Sequence, residues 1–382
     1  MTGREKIEAA FSARGATELP VVLPYETLLV RDHWHQFCDE PWWQEFSPNL
    51  ETQLRWRRAC LQQIPMDWFK LPLFYSRAER AALAIETRPD GVYLANAGTG
   101  QAQRLRSPDE RATDAARHLE PLAGRPAGTA EEISRLVPLP PDFDGDSFAG
   151  SGAGDLAAGL LQEFGSARFP VFPLSSPFWS SAGLWGFETF MTVVLERPDL
   201  VRQAGERYLR RAEHAVDQAA ALGARGIWIE ECLTNLVPPA VYADLNLPLL
   251  QQLIRRIRAR GLVSIYYYTG NPQDRWPHLL AAGADALAFE ESKKDFRLDV
   301  AELAERLDGR CALLGNVDAI GILQDASEPV LAAELERQLR AGRRNGNRFI
   351  LSLGSPVTPG TSLERIRRYL DLGRKRQPTP AG

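Results

Sequence analysis

Gly315-Asn316-Val317-Asp318 follows the short apolar run Cys311 to Leu314 and precedes a helical pattern at 328–342. It therefore ends a strand in a strand-helix repeat. Two other stretches behave alike: Tyr266-Tyr267-Tyr268-Thr269-Gly270-Asn271 and Leu351-Ser352-Leu353-Gly354-Ser355-Pro356. In a closed parallel barrel such strand ends line the mouth where active sites form.

Working outward, the beat is regular from residue 169. Strands are expected at 169–174, 226–231, 262–268, 286–290, 311–316 and 348–353, with helices between them and a last helix at 361–372. Leu19 to Tyr25 and Met66 to Lys70 add two earlier strands, making eight. Continuous apolar strands alternating with amphipathic helices indicate a parallel sheet buried on both faces. Eight units imply a (β/α)8 TIM barrel. It is preceded by a helical segment at Arg4 to Arg14 and interrupted by an inserted β-hairpin. The hairpin is expected where Ala84 to Arg88 and Gly91 to Ala95 flank Pro89-Asp90. The whole chain, 1–382, reads as one barrel domain, with 75–165 an excursion of hairpin and loops. An open doubly wound sheet is the alternative, but no GxGxxG follows a strand.

Composition narrows the function. Of 382 residues, 44% are hydrophobic and 25% charged, ordinary for a globular protein. The net charge of -4 gives no global basic field for nucleic acid. There is no run of eighteen apolar residues and no signal-peptide pattern, so no membrane role and a cytoplasmic location are expected. Four dispersed cysteines, Cys38, Cys60, Cys232 and Cys311, suggest reduced thiols.

The segments Arg4-Glu5-Lys6, Leu19-Pro20-Val21, Gly283 to Leu287, Gly315 to Asp318 and Gly354 to Pro359 resemble the uroporphyrinogen decarboxylase superfamily in order and spacing. The likeness is strongest over 199–372 and weak over 26–165. It implies a (β/α)8 barrel and membership among decarboxylases, zinc-dependent methyltransferases working with corrinoid proteins or thiols, and members of unassigned activity. Three departures bear on activity. The arginine-rich stretch that clamps substrate carboxylates in the decarboxylases is Tyr25-Glu26-Thr27-Leu28-Leu29-Val30-Arg31, with one arginine. Bidentate arginine pairing suits a polyacid, and one Arg31 does not replace a cluster. The aspartate after the second strand is replaced by Lys70-Leu71-Pro72, and the late histidine by Ser355. The zinc ligands, a His-x-Cys and a later Cys, are replaced by Tyr266 to Thr269 and Gly354-Ser355.

The candidate chemistry sits at strand ends. Glu230 and Glu231 end one strand, and alternation sends one toward the barrel axis and the other toward the helices. Glu231 facing Glu290 across the mouth is the preferred constellation, since two close carboxylates raise one pKa and make a proton donor. Glu230 is then a substrate contact. Asp318 is either a substrate contact or the N-cap of a following helix, and Asn316 is expected to face the mouth. Tyr268 is either a proton donor or barrel packing. Phe178 and Trp179 are expected to border a flat ligand, with Tyr25 and Arg31 also near substrate. His33 and His35, two apart, are candidates for a divalent metal only on a strand or loop, since they cannot share a helix face. His118, His214 and His278 fall in helical or loop stretches.

Three readings result. The first is a methyltransferase-like enzyme moving a methyl group between a small methylated substrate and a corrinoid protein or other acceptor. The second is decarboxylation of a tetrapyrrole or other carboxylated ligand. The third is a non-catalytic binding barrel. A homodimer is an allowed assembly.

Overall fold

The computed structural model describes residues 1–112, 120–232 and 234–375, so His118 lies outside the described residues. Its strands are β1 (Trp68–Lys70), β2 (Leu83–Arg88), β3 (Gly91–Asn96), β4 (Gln101–Arg104), β5 (Phe169–Ser175), β6 (Gly226–Glu231), β7 (Val263–Tyr268), β8 (Ala286–Phe289), β9 (Ala312–Leu314) and β10 (Phe349–Ile350). Seven of them form one parallel sheet in the order β1-β5-β6-β7-β8-β9-β10.

The eighth stave is Pro20 to Val22. The Val22 N–H donates to the Leu351 carbonyl at 2.9 Å, the Leu351 N–H to the Pro20 carbonyl at 2.8 Å, and the Asp67 N–H to the Val21 carbonyl at 3.0 Å. These bonds join β10 back to β1 and close the barrel. The expected strand at 19–25 is thus reduced to a single bridge between Val21 and Leu351. Pro20 and Pro24 lack the N–H a ladder needs. The Val21 N–H is taken by the Asp67 side chain at 2.7 Å.

The helices pack outside. Leu247–Ala259 shows how the sequence dictates this. Leu250, Leu253, Ile254 and Ile257 recur at helical spacing and are all buried, while Arg255, Arg256 and Arg258 take other faces. Burying each such side chain stabilises the fold by about 1.5–3 kcal/mol. The helix stops at Arg260, and Gly261 follows with a left-handed φ of 71°. Ahead of it lies a π-turn, Tyr242–Asn246.

The excursion contains the expected hairpin, β2 paired with β3 around Pro89-Asp90. A third strand, β4, extends it into a separate antiparallel sheet. That strand, Gln-Ala-Gln-Arg, is polar and fully exposed, so it carries no hydrophobic alternation to reveal it.

Candidate active site

Strand parity sorts the mouth. Along β6, Ile227, Ile229 and Glu231 are completely buried. Trp228, Glu230 and the following Cys232 instead line a cavity of about 700 Å³ at the C-terminal ends of the staves. Its other walls include Tyr25, Glu26, Trp68, Lys70, Ser175 and Trp179. Pro173 and Ser175 are exposed although they sit on a central strand, so the cavity opens to solvent. The volume falls in the range of small-molecule sites.

The walls are aromatic. Trp228 stacks on Tyr267 with ring centres 5.1 Å apart. Trp68 stands at 90° to Trp228 at 5.8 Å, and Tyr25 at 76° at 6.1 Å. Tyr25 has left-handed backbone angles, φ 58° and ψ 47°, at the start of helix Glu26–Phe37. For a bulky residue that conformation costs on the order of 1 kcal/mol or more and concentrates at functional sites. It brings the Tyr25 hydroxyl to donate to Glu230 Oε1 at 3.1 Å. Burial, then the neighbouring Tyr267 and Glu230, hold the Tyr25 phenol far above its ordinary range, so it stays a donor. Burial and the carboxylates of Glu230 and Glu231 likewise hold the Cys232 thiol up, so it stays protonated.

Lys70 is the lining's one ammonium, against the two carboxylates of Glu26 and Glu230. Its Nζ donates to Thr27 Oγ1 at 2.7 Å and its backbone N–H to Glu26 Oε2 at 2.9 Å. Burial lowers the Lys70 pKa and raises that of Glu26. Among the described residues no arginine lines the cavity.

Glu231 is on the other side of the sheet. It accepts from Ser176 Oγ at 2.8 Å, from Asn246 Nδ2 at 2.8 Å and from the Tyr266 hydroxyl at 3.2 Å. The π-turn presents Asn246 to it. Burial pushes its carboxyl up to about 8 against those donors. Glu231 therefore does not face Glu290 across the mouth, which corrects the expected pair. Glu290 Oε2 accepts the Gly270 N–H at 2.7 Å and ties the loops after β7 and β8 together.

Other expectations are corrected by the same geometry. Tyr268 is in register with Glu231 and shares its outward side, with Arg275 5.9 Å over its ring. Burial raises its phenol pKa, so it is packing and not a mouth acid. Phe178 is buried against Phe190, ring centres 5.2 Å apart, and does not border the cavity, whereas Trp179 does. Arg31 pairs with Asp32 and is absent from the lining. Asn316 Nδ2 donates to the carbonyls of Glu290 and Leu298, and its Oδ1 accepts from Gln338, so it satisfies buried loop groups. Asp318 is the N-cap, its Oδ1 accepting from Ile320 and Gly321.

His33 and His35 are not brought together as a pair of metal ligands. His33 and His35 lie on helix Glu26–Phe37, with His33 buried and His35 exposed. Both His33 ring nitrogens face carbonyl oxygens, Leu29 at 3.0 Å and Thr361 at 2.7 Å. Among the described residues no group of three or more His, Cys, Asp or Glu side chains is placed to hold a metal ion. The stretches that the resemblance sets at the zinc positions are Tyr266 to Thr269 and Gly354-Ser355, and Ser355 Oγ donates to Glu291. These residues do not fit the soft donor set of a zinc methyltransferase.

Gly354 keeps its family place for a steric reason. A side chain there would press within 2.2 Å of the Glu291 N atom. Its carbonyl accepts the Tyr267 hydroxyl at 2.8 Å. Sequence reasoning gives Trp68 and Trp228 no role, and names Lys70, Cys232 and Tyr267 without placing them in the site. The i, i+2, i+4 spacing of Trp228, Glu230 and Cys232 is the signal that groups three cavity residues.

A closed parallel barrel with a cavity at its C-terminal mouth defines a TIM-barrel protein of the enzyme-bearing kind. The family model for uroporphyrinogen decarboxylase (URO-D) matches residues 160–376, more than half of the chain, and the chain belongs to that family. It is 22% identical to uroporphyrinogen decarboxylase 2, chloroplastic, of Arabidopsis thaliana, over 80% of this chain and 77% of that one. It is 29% identical to the uroporphyrinogen decarboxylase of Solibacter usitatus, over 44% of this chain and 46% of that one. A solved methyltransferase from Methanosarcina mazei is similar in fold, with a TM-score of 0.68 at 16% identity, covering 98% of both chains. Among the described residues no helix is long and apolar enough to cross a membrane.

Proposed function

We propose that this protein is a methyltransferase of the family, moving a methyl group from a small methylated compound to a corrinoid protein or other nucleophilic acceptor. The observation that carries the reading is the cavity lining, which among the described residues holds aromatic rings, one ammonium, two carboxylates and no arginine. A polyacid needs a cluster of guanidinium groups. A small, weakly charged or cationic methyl donor needs shape and an apolar wall. The likeness in fold to the Methanosarcina mazei methyltransferase over nearly the whole of both chains supports the same reading.

The roles follow from position. Tyr25, Trp68 and Trp228 exclude water from the donor. Glu230, held by the Tyr25 hydroxyl, orients it. The acceptor approaches from the open mouth and supplies the nucleophile. Alignment of donor and acceptor is the main contribution the chain makes to such a displacement.

The test supplies purified protein with a panel of methylated compounds and a chemically reduced free corrinoid. Appearance of the methylated corrinoid by absorbance, dependent on Glu230, is the expected result. Carbon dioxide release from a carboxylated tetrapyrrole, with no methylation of the corrinoid, would overturn it in favour of decarboxylation.

A further inference from the structure

We propose that the mouth cavity binds a quaternary ammonium group, so that the methyl donor is an N-methylated cation. The proposal rests on the methyl-transfer reading only for the claim that the bound cation is a substrate. The recognition itself stands on the cavity.

The rings of Trp228, Trp68 and Tyr25 all line the cavity, with Trp68 and Tyr25 packed edge-to-face on Trp228 at 90° and 76°. A trimethylammonium head is large, apolar on its surface and positively charged. With no N–H to donate it is weakly hydrated, and it is attracted by the negative faces of aromatic rings, tryptophan best. The carboxylate of Glu230 lies on the same lining two residues from Trp228 and supplies the counter-charge. A primary ammonium would instead need several hydrogen-bond acceptors converging on its N–H groups, and the lining is predominantly ring and aliphatic. Lys70 does not reverse the preference. Its Nζ is held on Thr27, and Glu26 lies beside it. Counted over the described lining residues alone, Glu26, Glu230 and Lys70 leave one formal negative charge.

The chemistry agrees with the donors present. The acceptor supplies the electron pair of the new bond to the methyl carbon. The nitrogen–methyl bond breaks with its pair remaining on nitrogen, and a neutral tertiary amine leaves. No proton has to be delivered to the leaving group. That suits a lining whose phenol and thiol, Tyr25 and Cys232, are made weaker acids by burial, the phenol already donating to Glu230. A methyl ether would leave as an alkoxide and would call for an acid at the same place.

Isothermal titration calorimetry of the full chain compares choline with 3,3-dimethylbutan-1-ol, which has the same shape with carbon in place of charged nitrogen. Choline is expected to bind at least about tenfold more tightly. Glu230→Gln should remove most of that preference while leaving the neutral alcohol unchanged, and Trp228→Leu should weaken choline by about tenfold. Equal binding of the two compounds, or no saturable binding of choline, overturns the proposal. Because Glu230→Gln preserves size and shape, loss of selectivity in that variant is not a folding defect. The two readings fail separately. Selective choline binding without methylation of the reduced corrinoid would retain the cation site and remove methyl transfer. Methylation from a neutral ether without cation selectivity would do the reverse.

Discussion

Glu230 and Glu231 are neighbours in the chain and occupy opposite worlds. Glu230 lies on the inner face of β6 beside Trp228 and Cys232, half-buried, with a tyrosine hydroxyl on one oxygen. Glu231 is sealed between the sheet and the helices, with three side-chain donors. The outer one is not idle. Ser176, which donates to Glu231, accepts the Trp179 N–H at 3.0 Å and so begins the short helix whose Trp179 forms a cavity wall. The inner glutamate meets the ligand. The outer glutamate holds the frame, and a buried carboxyl is usable there because its lone pairs are met by donors.

The contrast can be broken most directly by Glu231→Ala. It orphans the Ser176, Asn246 and Tyr266 donors and should destabilise the fold by on the order of 4 kcal/mol in denaturant unfolding. Glu230→Ala should change stability by less than about 1 kcal/mol, since the residue is partly solvated. Equal losses in the two variants would erase the distinction.

The pH dependence of stability sharpens it. The folded Glu231 carboxyl sits at about 8, above its ordinary value of 4.5. Between those values the folded chain holds a proton that the unfolded chain has released. The stabilising contribution is complete below the lower value, falls as pH rises through the window, and is gone above the higher one. Wild-type stability should drop by on the order of 5 kcal/mol across it, and Glu231→Gln should flatten that slope. A variant with an unchanged slope would place the ionisation elsewhere.

A smaller effect concerns the histidines. His33→Ala removes a ring bridging Leu29 and Thr361 and should lose about 2 kcal/mol, while His35→Ala should lose almost nothing. Metal analysis of purified protein should show no change in either variant. Metal lost with His35→Ala would contradict the structural role given to this pair.

The sequence disclosed the barrel because strand and helix periods are local and strong. Ala286 to Phe289 and Leu250 to Ile257 declare their burial by pattern alone. It also placed Tyr25, Trp179 and Glu230 near the mouth, and these do line the cavity. What it concealed was parity. Two adjacent glutamates differ only by the side of the pleat they take, and a one-residue offset exchanges the faces. Tyr266, Tyr267 and Tyr268 posed the same problem: only the middle ring stacks on Trp228, and the outer two join Glu231's side of the sheet. The first stave failed as a strand because two prolines interrupt it. β4 carried no pattern, and no periodicity announces the π-turn that delivers Asn246 to Glu231.

The most direct test compares the initial rate of methyl transfer to a reduced corrinoid for Glu230→Gln and Glu231→Gln, each normalised to folded protein. The inner substitution should abolish most of the rate and the outer one should retain it. Loss of rate in the folded Glu231→Gln variant, with Glu230→Gln active, would contradict the assignment of the mouth cavity as the site.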